Sequence, residues 1–368
     1  MSMSTSMSKI RVELGDRGYD IHVGAGLLDE SGELISAACR GKNAAIVTNR
    51  RIGELYAHRL VESLGEASIS AQVIIIPTGE RYKTLRTVAR VYEKLLDQRL
   101  DRGGMVIGLG GGVIGDMAGF IAATYLRGVD FVQVPTSLLA QVDASVGGKT
   151  GVNLTRGKNL VGAFHQPKIV IVDVSVLRTL PAREFRSGLA EVIKHGIIRD
   201  GEYFEFLEQN LPRIKRLDPE VLERTITRSC EIKADVVRQD ERESGLRRIL
   251  NFGHTVAHSV ESLTAYRKYR HGEAVGIGMV SAALVSREMG LTTSETVERI
   301  IAVLKASGLP YKLPELSHAE IVRAMGFDKK VSHGKLHAVL MRGIGTAFDT
   351  DEVTPEMWHR ALERQGSL

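Results

Sequence analysis

Cysteine is nearly absent from this 368-residue sequence: only Cys39 and Cys230 occur, with no Cys-x-x-Cys spacing. That excludes a disulfide scaffold and a thiolate zinc site, and it fits a reducing compartment, so a cytoplasmic location is expected. Aromatic residues make up 5% of the chain, too few for the stacked platforms that hold single-stranded nucleic acid. No apolar run approaches the ~18 residues of a membrane span. The Ser/Met-rich start, residues 1–8, lacks a signal-peptide core and reads as a disordered tail. Long blocks of like charge are also missing, and the net charge of +5 is spread along the chain. A small anionic substrate accounts for that balance, and neither nucleic acid nor a membrane is expected as a partner.

What remains is the composition of a globular enzyme, 43% hydrophobic and 25% charged, long enough for two domains. Between Lys9 and Asp173, short apolar runs alternate with helical patterns. Ala44–Thr48, Val73–Ile76, Met105–Leu109, Phe131–Val134 and Ile169–Val172 read as buried strands, and Tyr82–Leu100 as a helix. Strands separated by helices predict an α/β domain over 9–180 with a mostly parallel, Rossmann-like sheet. Beyond Pro181 strand signals fade. The stretches 182–209, 218–237, 248–265, 273–289 and 294–307 carry helical spacing, so 181–368 is expected to be mainly α-helical.

Three segments carry chemistry. The first runs from Met105 into Gly110, Gly112 and Gly115, a Gly-x-Gly-x-x-Gly pattern between a strand and a helix through Tyr125. Such a turn lets backbone N–H groups and a helix dipole meet a phosphate. It departs from the dinucleotide fingerprint, because it is not the first strand–helix unit and Asp130 opens the next strand instead of ending one. The second, Val134–Gly151 followed by Gly157-Lys158-Asn159, gathers Asp143, Lys149 and several hydroxyls in an expected glycine-rich loop after a strand. A P-loop is disfavoured, since Asp143 stands where that motif needs glycine.

The third lies in the helical half. Glu191, Lys194 and His195 fall within two helical turns, and His254, His258 and His271 follow. A carboxylate and two imidazoles form a usual catalytic zinc set with an open position. His254 and His258, four apart, share a helix face, which nominates them as joint ligands. Spacing alone does not choose among that pair, His271, Glu191 and His195. Between these segments, Lys233 to Arg247 is rich in charge, offering clamps for carboxylate or phosphate or merely a solvated helix end.

Taken in order, GGGVIGD, VPTSLLAQVDASVGGKTGVN, GKNLVGAFHQP, LAEVIKHG, DERESGLRRILNFGHTVAH and HGEAVGIGM resemble the 3-dehydroquinate synthases, within the sugar phosphate cyclases. The resemblance spans nearly the whole chain beyond the first eight residues. It implies an NAD-binding N-terminal domain, a metal- and substrate-binding C-terminal domain, and a homodimer. Its metal ligands, for Zn²⁺ or Co²⁺, fall on Glu191, His254 and His271, which moves His258 to the substrate. The NAD site falls on Glu80 and Lys83 of GERYK, Gly111, Gly112, Val113, Asp116, Thr136, Ser137, Asp143, Lys158 and Thr179. The first strand ends VTN where many relatives carry an acid, so the adenosine-ribose contact near Asn49 departs from that pattern.

Substrate contacts fall on Asp143, Lys149, Asn159, Lys194, Lys233, Glu243, Arg247, Asn251, His258 and Lys335, with Arg127 from a neighbouring subunit. The implied reaction converts 3-deoxy-D-arabino-heptulosonate 7-phosphate to 3-dehydroquinate and phosphate. It proceeds by transient oxidation at C5 with NAD, phosphate elimination, re-reduction and aldol ring closure, a step of the shikimate pathway. Two neighbouring readings are another sugar phosphate cyclase and an NAD- and metal-dependent polyol dehydrogenase. Lys233, Arg247, Asn251, His258 and Lys335 favour a substrate bearing a carboxylate.

Overall fold

The structure, a computed structural model, describes residues 7–326, 331–332 and 335–368. The first six residues of the expected tail and the side chain of Lys335 lie outside the described part. The chain divides into two compact units, Met1–Leu180 with Leu222–Arg238, and Pro181–Val221 with Gln239–Leu368. The stretch 222–238, grouped with the C-terminal half in the sequence, therefore belongs with the first unit.

The first unit is built on nine strands: β1 (Ser8–Val12), β2 (Tyr19–Gly24), β3 (Asn43–Asn49), β4 (Ser70–Ile76), β5 (Met105–Gly110), β6 (Asp130–Pro135), β7 (Lys149–Leu154), β8 (Gly157–Phe164) and β9 (Ile169–Asp173). Seven of them form one sheet in the order β1-β2-β9-β6-β5-β3-β4, parallel except for the antiparallel β1–β2 pair. Apolar runs become strands here because both faces are covered. In β3, Ala44 and Ile46 pack into one apolar cluster and Ala45 and Val47 into the other. Ser8, assigned to the tail from the sequence, opens β1.

The expected loop after Asp143 is instead largely an antiparallel hairpin, β7 with β8. Its glycines, read as a loop signal, have a different cause. Gly151 sits opposite Gly162, and a Cβ on Gly162 would lie 2.1 Å from the Thr150 carbonyl. The two strands cross too closely for side chains there.

The second unit is mainly helical. The predicted 182–209 helix is two helices, Ala182–Arg199 and Gly201–Lys215. Asp200 breaks them, with extended backbone and a side chain that accepts from Tyr203 N at 2.9 Å as an N-cap. Helices His254–Leu263, His271–Glu288, Ser294–Ala306, His318–Met325 and Pro355–Gly366 follow. A hairpin of Ala338–Met341 with Ala347–Thr350 also occurs, which helical spacing alone does not announce.

Two close approaches set the helices that matter. A Cβ on Gly272 would lie 1.9 Å from the Ser187 carbonyl, and Gly272 N donates to Ser187 Oγ at 3.0 Å. A Cβ on Gly278 would lie 1.9 Å from the carbonyl of Gly253, which has φ 79°. These glycines draw three helices into backbone contact, and the residues beside them are Glu191, His254 and His271.

Candidate active site

Glu191 lies on the buried face of Ala182–Arg199, His254 opens the next functional helix, and His271 opens the one after. His254 Nε2 and His271 Nε2 each stand 3.6 Å from Glu191 Oε1. The imidazole centroids are 5.2 Å apart. One ligand atom from each residue lies within 4.8 Å of the others. Ligands on a tetrahedral ion with bonds of about 2.0–2.1 Å sit roughly 3.4 Å from one another, so this donor set fits a divalent metal with little movement. Glu191 is wholly buried, and a buried carboxylate is tolerated only when its charge is met.

Spacing proposed His254 with His258, and the two rings are indeed neighbours, edge to face at 5.6 Å. The carboxylate, however, faces His254 and His271, which lies on a different helix. His195, one turn beyond Glu191, is buried but outside this group. A helix-face argument shows which residues share a surface and is blind to what crosses it.

Lys194, buried at 2% exposure, forms an ion pair with Glu191. Burial alone would raise the Glu191 carboxyl, but Lys194 and the two imidazoles hold it well below the usual carboxylate range. Burial pushes His254 well down, towards the neutral form a metal requires. For His271, burial is outweighed by Glu191 and Glu261, and its value is pushed up to about 10. Around this core, Asn251 Nδ2 donates to Glu243 Oε1 at 2.8 Å, and Arg247 is buried. Asp240 organises that loop by accepting from Ser244 N (2.9 Å), Gly245 N (2.7 Å) and Arg247 N (3.0 Å).

In the first unit a second polar group forms. Lys83, buried, reaches both the Asp116 carboxylate and Asn159 Oδ1. Burial pushes the Asp116 carboxyl up against the pull of Lys83. Glu80 Oε1 accepts from Asn153 Nδ2 at 2.7 Å, and Asn153 Oδ1 accepts from Asn159 N at 2.9 Å. Asn153 is a structural partner that sequence reasoning missed; nothing in its spacing marks it. Lys233 donates to the Asp143 carboxylate and carbonyl.

The glycine turn places Gly111 as N-cap of the helix Gly112–Thr124, with Ser137 Oγ 3.3 Å from a Cβ built on Gly111. Val113 lies in the first turn of that helix, and Thr136 N donates to Gly110 O at 3.0 Å. The third glycine, Gly115, packs this helix on the sheet, since a Cβ there would be 2.6 Å from Gln133 Oε1. Asn49 accepts from Ile52 N at 3.1 Å and so caps a short helix. The Thr179 hydroxyl meets the Tyr56 hydroxyl. Lys149 and Lys158 lie on the hairpin strands. Arg127, Asn159 and Glu243 all have positive φ, at 72°, 53° and 60°, strain of the kind that collects at functional sites. Lys335 pairs with Ser332 in a short strand.

Comparison with known proteins identifies the fold. The valiolone synthase ValA of Streptomyces hygroscopicus, solved with NAD+ and Zn2+ bound, matches with a TM-score of 0.87 and 30% identity over 96% of this chain and 98% of its own. A 2-deoxy-scyllo-inosose synthase complexed with carbaglucose-6-phosphate, NAD+ and Co2+ matches with a TM-score of 0.88 and 25% identity, covering 97% of this chain and all of its own. The fold is that of the sugar phosphate cyclases. Profiles of the 3-dehydroquinate synthase N-terminal and C-terminal regions match residues 73–187 and 188–331. The 3-dehydroquinate synthase of Desulforamulus reducens is 51% identical over 92% of this chain and 95% of its own, and that of a Synechococcus strain is 50% identical over 96% and 98%. The chain belongs to the 3-dehydroquinate synthase family. Dehydrogenases at 16–17% identity share the fold alone.

Proposed function

We propose that this chain converts 3-deoxy-D-arabino-heptulosonate 7-phosphate to 3-dehydroquinate and phosphate. The observation that carries the reading is the Glu191–His254–His271 group around a buried carboxylate, with Lys194 paired to it, in a chain about half identical to 3-dehydroquinate synthases. When bound, a divalent ion held by those three residues would polarise a substrate hydroxyl, and NAD would supply a hydride acceptor that returns what it takes.

The chain's own residues do the rest. Lys149, Lys194, Lys233 and Arg247 supply positive charge for the phosphate and carboxylate by charge-assisted hydrogen bonds. Asn251, held by Glu243, and His258 orient the substrate's hydroxyls. Asp143, paired with Lys233, keeps that ammonium in position until an anion competes for it. The departing phosphate takes the proton from the adjacent carbon. The glycine turn at Gly111 and Gly112, with Thr136, Ser137, Val113, Lys158 and Thr179, serves the dinucleotide, and Glu80, Lys83 and Asp116 hold its polar edge. Arg127 acts from the second subunit of a homodimer. Both cysteines are buried and unbridged, which suits the cytoplasm.

Incubation with the heptulosonate phosphate, NAD+ and Zn2+ tests the reading. One phosphate released per substrate without accumulation of NADH is the expected result. Phosphate release from a sugar phosphate lacking the carboxylate, and none from this substrate, would reassign the chain to a different cyclase. Net NADH build-up would make it a dehydrogenase.

A further inference from the structure

Both imidazoles present Nε2 to Glu191, so each must be fixed through its other nitrogen. His254 Nδ1 lies 3.2 Å from the carbonyl oxygen of Phe252. His271 Nδ1 faces a carboxylate, Glu261 Oε2, at 3.6 Å. Glu261 sits in the helix His254–Leu263, seven residues after His254, and is 6% exposed. Seven residues make about two turns, so His254, His258 and Glu261 form one stripe along a single helix. One element thus carries an imidazole of the metal group and the acid that orients the other.

We infer that Glu261 is a positioning residue for the metal group: its carboxylate, facing His271 Nδ1 at ion-pair distance, favours the tautomer protonated there and holds the ring with Nε2 towards the ion. This rests on the proposed metal function of Glu191, His254 and His271. Two observations favour a functional role over packing. A buried carboxylate is costly unless paired, and Leu or Met would fill the same space on an apolar helix face at lower cost. The acid also stands behind the imidazole whose Nε2 is committed to Glu191, where it raises that nitrogen's basicity as a ligand.

The experiment measures Zn2+ affinity of the purified full-length protein by chelator competition, with the absorption spectrum of the Co2+-substituted protein as a second readout. E261Q preserves shape and removes the charge, so it is expected to weaken Zn2+ binding about 10–100-fold. Its Co2+ spectrum should shift, while the thermal midpoint of the metal-free protein stays near that of the parent. E261D, which keeps the charge, is expected to recover part of the affinity. Parent-like Zn2+ affinity and an unchanged Co2+ spectrum in E261Q would overturn the inference while leaving the metal group intact. Failure of the parent protein itself to take up Zn2+ or Co2+, with H271A no different from it, would remove the underlying reading.

Discussion

In the sheet unit two candidate-site lysines are each paired with one acid, Lys83 with Asp116 and Lys233 with Asp143. In the helical unit one carboxylate, Glu191, faces an ammonium and two imidazoles at once. The first arrangement is near neutral and can release a cation to an incoming anion. The second concentrates several side chains around one carboxylate. Backbone contact separates them further. The Glu191–His254–His271 group depends on helices packed at glycine, whereas the sheet unit's polar residues hang on strand ends and a hairpin.

The sharpest test of that contrast removes the shared carboxylate or an imidazole that faces it. E191A or H271A should abolish bound metal and lower turnover by about 10³-fold or more, with far-UV circular dichroism unchanged. K233A, which leaves the Asp143 carboxylate behind, should cost about 10²-fold in kcat/KM and leave metal content untouched. Loss of metal in K233A would erase the distinction between the two groups.

Glycine substitutions probe the packing directly. A Cβ on Gly272 meets backbone at 1.9 Å, so G272A should cost about 3–5 kcal/mol and lower metal occupancy. G115A meets only the end of the Gln133 side chain at 2.6 Å, and about 1–2 kcal/mol is expected in thermal or urea unfolding.

The smallest effect concerns Asp240. Burial would raise its carboxyl, but hydrogen bonds from the backbone at Ser244, Gly245 and Arg247 lower it to about 2. The folded value lies below the unfolded one, so the stabilisation is full above pH ~4 and fades as pH falls towards 2. D240N should therefore lower stability by about 1 kcal/mol near neutrality, after allowing for solvent screening, and converge on the parent in acid. Urea midpoints across that range check the sign.

The parallel sheet was legible because β3, β5, β6 and β9 are buried on both faces and therefore read as unbroken apolar runs. The edge pair β1–β2 went unread because its residues mix charge with apolar character. Pairing across the hairpin was masked by glycines serving close strand contact. Among the site residues, Glu191 and the histidines were visible as chemistry but not as a group, since His271 joins through a helix crossing that no local spacing encodes. Glu261 did leave a trace, at four and three residues along the stripe from His254 through His258. Helix 219–239 shows the reverse problem. Its spacing is plain, but its membership is decided by distant contacts such as Cys230 Sγ to Gln141 O and Ser8 Oγ to Glu223.

That membership has a consequence for how the chain can be taken apart. Because residues 222–238 return to the first unit, the polypeptide passes between units at 180–181, 221–222 and 238–239. No single cut yields the two units: a fragment ending at Leu180 loses Lys233 and the buried Ile226, Cys230 and Val237. Each unit is thus assembled from segments that lie on either side of the other's in the chain.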